Sequence, residues 1–182
     1  MDGNRLLLLL TCVVLFAGCQ HEKEDNQIRS TLSQFERRVI RFPDKMLCVE
    51  KGISEFRDIS VLKPTFIVYV SSDECNECAL AHLPEKSTLF KWAESSKAFQ
   101  VYVIFSPLDK YVQTIFKRIK DNGYPFPVYI DVDGYMREKN AIPEDSRFHC
   151  FLLDELQHPV MVGNPLISPK VESLFWAVLR NI

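Results

Sequence analysis

The sequence carries no excess of positive charge: 22 lysines and arginines stand against 24 aspartates and glutamates, a formal net charge of -2 over 182 residues. Without a basic field, nucleic acid is excluded as a partner, and so is electrostatic adsorption to an anionic bilayer. Long hydrophobic runs are missing as well. The apolar run from Leu6 to Phe16 is well short of the about 20 residues that span a bilayer. No internal repeat occurs. The two tryptophans and thirteen phenylalanines are not spaced as a cofactor box, so they are assigned to the core and no organic cofactor is expected. What is there, 47% hydrophobic and 25% charged residues, is the composition of one globular domain with a core of its own.

The run Leu6–Phe16 has the length of a signal-peptide core, and it ends in Leu15-Phe16-Ala17-Gly18-Cys19. Small residues directly before a cysteine resemble a bacterial lipobox, which implies cleavage before Cys19 and acylation of its thiol. An ordinary secretory signal with an incidental cysteine is the alternative. Residues 1–18 are therefore read as a lipoprotein signal peptide, 19–26 as a lipid-anchored flexible tether, and 27–182 as the folded domain. The polar, acidic Gln20–Asn26 stretch suits a solvated tether. It also resembles the acidic segment that directs some Bacteroidetes lipoproteins to the cell surface. The expected location is the bacterial cell envelope, on the periplasmic face or the cell surface, with the membrane reached through the Cys19 lipid. Export exposes thiols to an oxidising compartment. Of six cysteines, Cys12 leaves with the signal peptide and Cys19 carries lipid. Cys48, Cys75, Cys78 and Cys150 remain.

Ile28, Leu32, Phe35 and Val39 recur at three and four residues, which predicts a helix between Gln27 and Arg41. A short strand over Met46–Val49 and an irregular stretch through Ile59 follow. Thr65–Val70 is β-branched and aromatic without polar alternation, as suits a strand buried on both faces. The helix-rich segment Ala79–Ser95 is expected to kink at Pro84. Phe99–Phe105 is the next buried strand, and Pro107 opens a helix stopped by Asn122-Gly123. Strands over Phe126–Ile130 and Cys150–Leu153, a turn at Asp154–Gln157, a strand at Pro159–Val162 and a helix from Ser168-Pro169 complete the chain. In the last helix Val171, Leu174, Phe175 and Val178 are expected to face inward. A βαβ unit followed by a hairpin and a terminal helix is α/β architecture with a mixed sheet.

Cys75-Asn76-Glu77-Cys78 opens the helix after the first buried strand. Two cysteines at this spacing can close a small disulfide ring. At a helix start the free backbone N–H groups stabilise a thiolate on the first sulfur, and the second thiol can resolve a mixed disulfide. Cys75 is thus the candidate nucleophile and Cys78 the resolving thiol. Asp73, Glu74 and Glu77 crowd the motif, and like charge opposes a thiolate. Cys48 and Cys150 read as small buried hydrophobes.

The buried strand, the positioned Cys75-Asn76-Glu77-Cys78, Phe126-Pro127-Val128-Tyr129-Ile130-Asp131 and Cys150-Phe151-Leu152-Leu153-Asp154 together resemble the membrane-anchored thioredoxin-like oxidoreductases of bacterial envelopes, of the TlpA/ResA type. These relatives reduce disulfides during cytochrome c maturation and similar tasks. The resemblance covers Met46 to Ile182. It implies a thioredoxin-like mixed β-sheet flanked by helices, here with an N-terminal helical extension. It also implies a protein thiol or disulfide client and, for a reductase, a membrane electron donor. The chain departs from the family in lacking a tryptophan before Cys75 and a proline between the cysteines. Tyr69 and Ala81 stand where relatives carry a carboxylate, so no proton acceptor for Cys78 is identified. The family's cis-proline position falls on Phe148, beside His149, or on Pro143 if residues 144–147 are an insertion. Phe148, His149 and Pro143 are the candidates to line the substrate groove. Glu77 and His82, two helical turns beyond Cys75, are the candidates to tune the thiols. Two other readings stand beside the enzyme: a copper or other metal chaperone using Cys75, Cys78 and His149, and a catalytically inactive adaptor. Peroxidase activity is not expected, since peroxiredoxins set a threonine where Ser72 stands.

Overall fold

A computed structural model of the protein describes residues 24–182, and the expected signal peptide, Cys12 and Cys19 lie outside that range. The chain separates into a unit ending at Gln34 and a unit of Phe35–Ile182. Helix α1 covers residues 24–36. Residues 24–26, which the sequence reading places in the tether, are helical. The expected helix end is also corrected. The chain leaves the helix after residue 36, so Val39 is exposed and Ile40 takes the buried position instead.

The second unit is built on a seven-stranded sheet in the order β2-β1-β5-β4-β3-β6-β7. Its strands are β1 (Lys45–Glu50), β2 (Ile53–Asp58), β3 (Thr65–Val70), β4 (Gln100–Phe105), β5 (Val128–Ile130), β6 (Cys150–Leu153) and β7 (Pro159–Val162). Strands β3, β4 and β5 are parallel, whereas β1 and β6 run antiparallel to them on either side. Every residue of β3 is buried, as expected of a strand covered on both faces.

Strand β2 stands where the sequence suggested irregular chain. It pairs with β1 across a two-residue turn in which Lys51 and Gly52 both have positive φ, 51° and 76°. That geometry matches the right-handed twist of a hairpin. Lysine is an unusual occupant of the first position, and the mostly polar Ile-Ser-Glu-Phe-Arg-Asp of an edge strand has no continuous apolar run to announce it.

The helical segment after the dithiol breaks rather than kinks at Pro84. It consists of α2 (Asn76–Ala81), a 3-10 turn over Leu83–Lys86, and α3 (Ser87–Ser96). Helix α4 (Val112–Asn122) ends at Gly123 in the left-handed region, and α5 (Tyr135–Lys139) is a single short segment. Helix α6 (Pro169–Leu179) starts with Ser168 Oγ accepting from Val171 N–H and with proline in the first turn. Its buried residues are Phe175 and Leu179, whereas Leu174 is exposed, contrary to its expected place. Phe175 packs edge-on against Phe66, Phe99 and Trp176 at centroid distances of 5.5, 5.1 and 5.1 Å. Removing such a ring costs about 3–5 kcal/mol, so this cluster anchors α6 to the sheet.

Candidate active site

The parallel strands deliver their carboxyl ends to one edge of the sheet, where α/β folds place their sites. Strand β3 ends at Val70 and feeds the loop Ser71–Glu74, from which the dithiol emerges. Because β6 runs the other way, its start lies beside the end of β3: Val68 pairs with Cys150, and Tyr69 N–H donates to the His149 carbonyl at 2.8 Å. This register brings residues 75 positions apart into one site.

Cys75 caps α2, with extended backbone at φ -66° and ψ 97°. Its sulfur accepts from Cys78 N–H at 3.3 Å and from the Cys78 thiol at 2.6 Å. Both donors stabilise the charged form, the thiol the more strongly, so Cys75 is held below the usual thiol range while Glu77 pulls weakly the other way. Cys78 is the reverse case. Its hydrogen bond to Cys75 and the charge that develops there keep its proton on, raising its pKa. The asymmetry is that of an attacking sulfur beside a protonated reserve. Both thiols are free and exposed.

A groove of about 340 Å³ opens beside the sulfurs. Val68, Val70, Ala79 and Leu83 give it apolar walls, and Glu74, His82, Lys86, Ser146 and His149 supply polar groups. Cys150 also reaches it, yet burial pushes that thiol up to about 11, which leaves it protonated at neutral pH. Cys48, buried on β1, is likewise raised, chiefly by burial. Four strand steps of about 4.8 Å separate β1 from β6. Cys48 and Cys150 are therefore far beyond the roughly 7 Å limit for a disulfide.

His149 is the one sequence-predicted groove residue that the structure places in the groove wall with its ring held. The side chain is only 4% exposed and Glu74 retains 30%. Nδ1 pairs with Glu74 Oε1, and Nε2 donates to the Pro143 carbonyl at 2.7 Å. Tyr69 lies edge-on at a centroid distance of 5.4 Å. Burial works against protonation of the ring, but the bonds to Glu74 and Pro143 and the charge of Glu74 outweigh it, so the histidine pKa is raised.

The other candidates sort differently. Phe148 is buried in a 3-10 turn, Ser146–Phe148, and is not among the groove walls. No peptide bond among the described residues is cis. Pro143 is therefore trans, and its part is the carbonyl offered to His149. Glu77 points to solvent and pairs with Arg118 at 2.9 Å, both largely exposed. His82 terminates α2, exposed, with Nδ1 2.8 Å from Glu85. Two of the three crowding carboxylates therefore have partners: Glu77 pairs with Arg118 and Glu74 with His149. In sequence Glu74 shows only as a charge beside Cys75. No local signal joins it to His149, because the contact exists only through the β3–β6 pairing.

The metal alternative loses its third ligand. Both nitrogens of His149 are engaged, and among the described residues no group of three histidine, cysteine or acidic side chains is arranged to hold a metal.

No family model matches the chain, and no curated protein matches it in sequence. Solved structures do resemble it. A hypothetical protein from Sinorhizobium meliloti aligns with TM-score 0.50 at 15% identity, covering 79% of this chain and 85% of that one. A putative protein disulfide isomerase from Bacteroides thetaiotaomicron gives TM-score 0.48 at 16% identity, covering 78% and 87%. An uncharacterised thioredoxin-like protein from Porphyromonas gingivalis gives 0.45 at 14%, covering 78% and 92%. At 15% identity the likeness to the Sinorhizobium meliloti protein is one of fold. With the strand order, the helix-capping dithiol after the first parallel strand and the terminal hairpin and helix, the chain has a thioredoxin-like fold.

Proposed function

We propose that this protein is a thiol–disulfide oxidoreductase in which Cys75 attacks and Cys78 resolves. The observation that carries this reading is the pairing at the start of α2. The Cys75 sulfur receives both the thiol and the backbone N–H of Cys78, and it is exposed beside a groove. In the reducing direction the Cys75 thiolate attacks a client disulfide, forming a mixed disulfide and expelling one client thiolate. Cys78 then gives its proton to the expelled client thiolate and attacks Cys75 Sγ. The second client thiolate leaves, and the electron pair has passed to the client as the Cys75–Cys78 disulfide forms.

The resemblance to envelope reductases favours the reducing direction. In that case a membrane donor recycles the dithiol, and the Cys19 lipid would hold the domain near it at the cell envelope. The clients are proteins carrying disulfides or mixed disulfides.

Equilibration of the whole protein in glutathione redox buffers tests the chemistry. The expected result is a reversible two-electron couple assigned by mass to Cys75 and Cys78. Failure of these two cysteines to pair in any buffer ratio would sink the proposal and leave a binding role for the fold.

A further inference from the structure

The Glu74–His149 contact can be read to the level of protons. The Pro143 carbonyl only accepts, so the Nε2 facing it carries hydrogen. Glu74 Oε1 accepts from Ser71 N–H at 3.2 Å while it faces Nδ1. A carboxylate oxygen taking two N–H donors satisfies all three contacts if Nδ1 also carries hydrogen, which makes the ring an imidazolium. A neutral ring would instead turn a lone pair toward the carboxylate in a site where the histidine is 4% exposed.

Glu74 directly precedes Cys75, and both line the same groove. We propose that His149 is a positioning residue that acts through Glu74: its imidazolium cancels the charge of the carboxylate next to Cys75 and draws it against β6. The thiolate then forms beside a neutral pair rather than beside a bare anion.

The surroundings leave this assignment to His149. Tyr69 from β3 meets the ring edge-on, and Asp145 is paired with Arg147 at 2.6 Å. Lys86, His82, Cys78 and Cys150 are the other titratable groups that line the groove. The hydrogen-bonded partner of Glu74 among these groups is His149.

The assignment rests on Cys75 as the nucleophile, but its test does not require catalysis. The rate of Cys75 alkylation by iodoacetamide, read by mass at that residue in the full chain, follows thiolate content as pH is varied. In His149→Gln, which keeps an amide near Glu74 but no positive charge, labelling at pH 6 should slow roughly 3- to 10-fold, the size of one uncompensated charge near a solvated sulfur. Adding Glu74→Gln should restore the rate to within about twofold, because the unneutralised anion is gone. A merely structural contact predicts the opposite, a double variant at least as slow as the single. Either that result or an unchanged rate in His149→Gln overturns the proposal.

Should the variants not fold, the unsubstituted protein decides. Coupling between two titrating groups is reciprocal, so capping Cys75 with a neutral group should move the His149 ring titration, followed by NMR, to lower pH. An unmoved ring titration overturns the assignment. Loss of the glutathione couple with this labelling pattern intact would remove the oxidoreductase reading and leave the charge pairing standing.

Discussion

A glutamate directly precedes each cysteine of the dithiol, and the fold treats the two in opposite ways. Glu74, before Cys75, turns inward to His149, the almost fully buried residue just before β6. Glu77, before Cys78, is 74% exposed and reaches along the surface to Arg118, itself 50% exposed. Sequence position makes them look alike. The difference is that the inner pair is shielded from water and joins the active-site loop to the sheet, whereas the outer pair exchanges freely with solvent and salt. Removing one member of a buried pair leaves a charge without compensation. Removing one member of an exposed pair leaves a solvated charge at little cost.

The sharpest way to break the comparison is therefore to remove one cation at a time. His149→Gln should destabilise the fold by about 2–3 kcal/mol in urea unfolding, somewhat under the cost for a fully enclosed pair because Glu74 keeps partial access to water. Arg118→Ala should change stability by less than about 0.5 kcal/mol. Equal losses in the two variants would mean that burial does not distinguish the pairs.

The inner pair was also the part of the molecule least legible in the sequence. Thr65–Val70, Cys150–Leu153, Pro159–Val162 and the Ser168-Pro169 helix start were readable because each carries a local signal: a continuous β-branched run, a turn between two short runs, or a capping serine before proline. The dithiol was readable for the same reason. Strand β2 was not, since an edge strand in water needs no apolar pattern and its turn uses Lys51. Glu74 and His149 were each noticed, one as a charge opposing the thiolate and the other as a groove residue or metal ligand. Their pairing follows only from the antiparallel register that sets Val68 opposite Cys150. The proline expectation failed at the same place. Pro143 is close to the site, but through its carbonyl and in a trans bond.

Stability as a function of pH sharpens the contrast by isolating the proton on the inner pair. The folded pKa of His149 lies above its unfolded value of about 6.5, so the folded state binds this proton more tightly. Its contribution is complete below about pH 6.5 and is lost as pH rises through the folded value. The melting-temperature gap between the unsubstituted protein and His149→Gln should accordingly be widest near pH 6 and narrow on the alkaline side. Differential scanning calorimetry across that range checks it. A gap that widens with pH would reverse the sign and show that the ring is buried neutral.

The smallest effect belongs to the outer pair, and it probes chemistry rather than stability. Glu77 raises the Cys75 pKa through its charge, as the weakest of the influences on that thiol, against the lowering by Cys78. Glu77→Gln should therefore increase Cys75 alkylation at pH 6 by no more than about twofold, because the charge acts through water and is already offset by Arg118. The gain should fade at high ionic strength, where exposed charges more than about 3 Å apart are screened at 1 M salt. The effect of His149→Gln should survive much of the same screening, since its charge sits behind the groove wall. If salt erased both effects equally, Glu74 would act on Cys75 through solvent as Glu77 does, and the distinction between the two glutamates would reduce to distance.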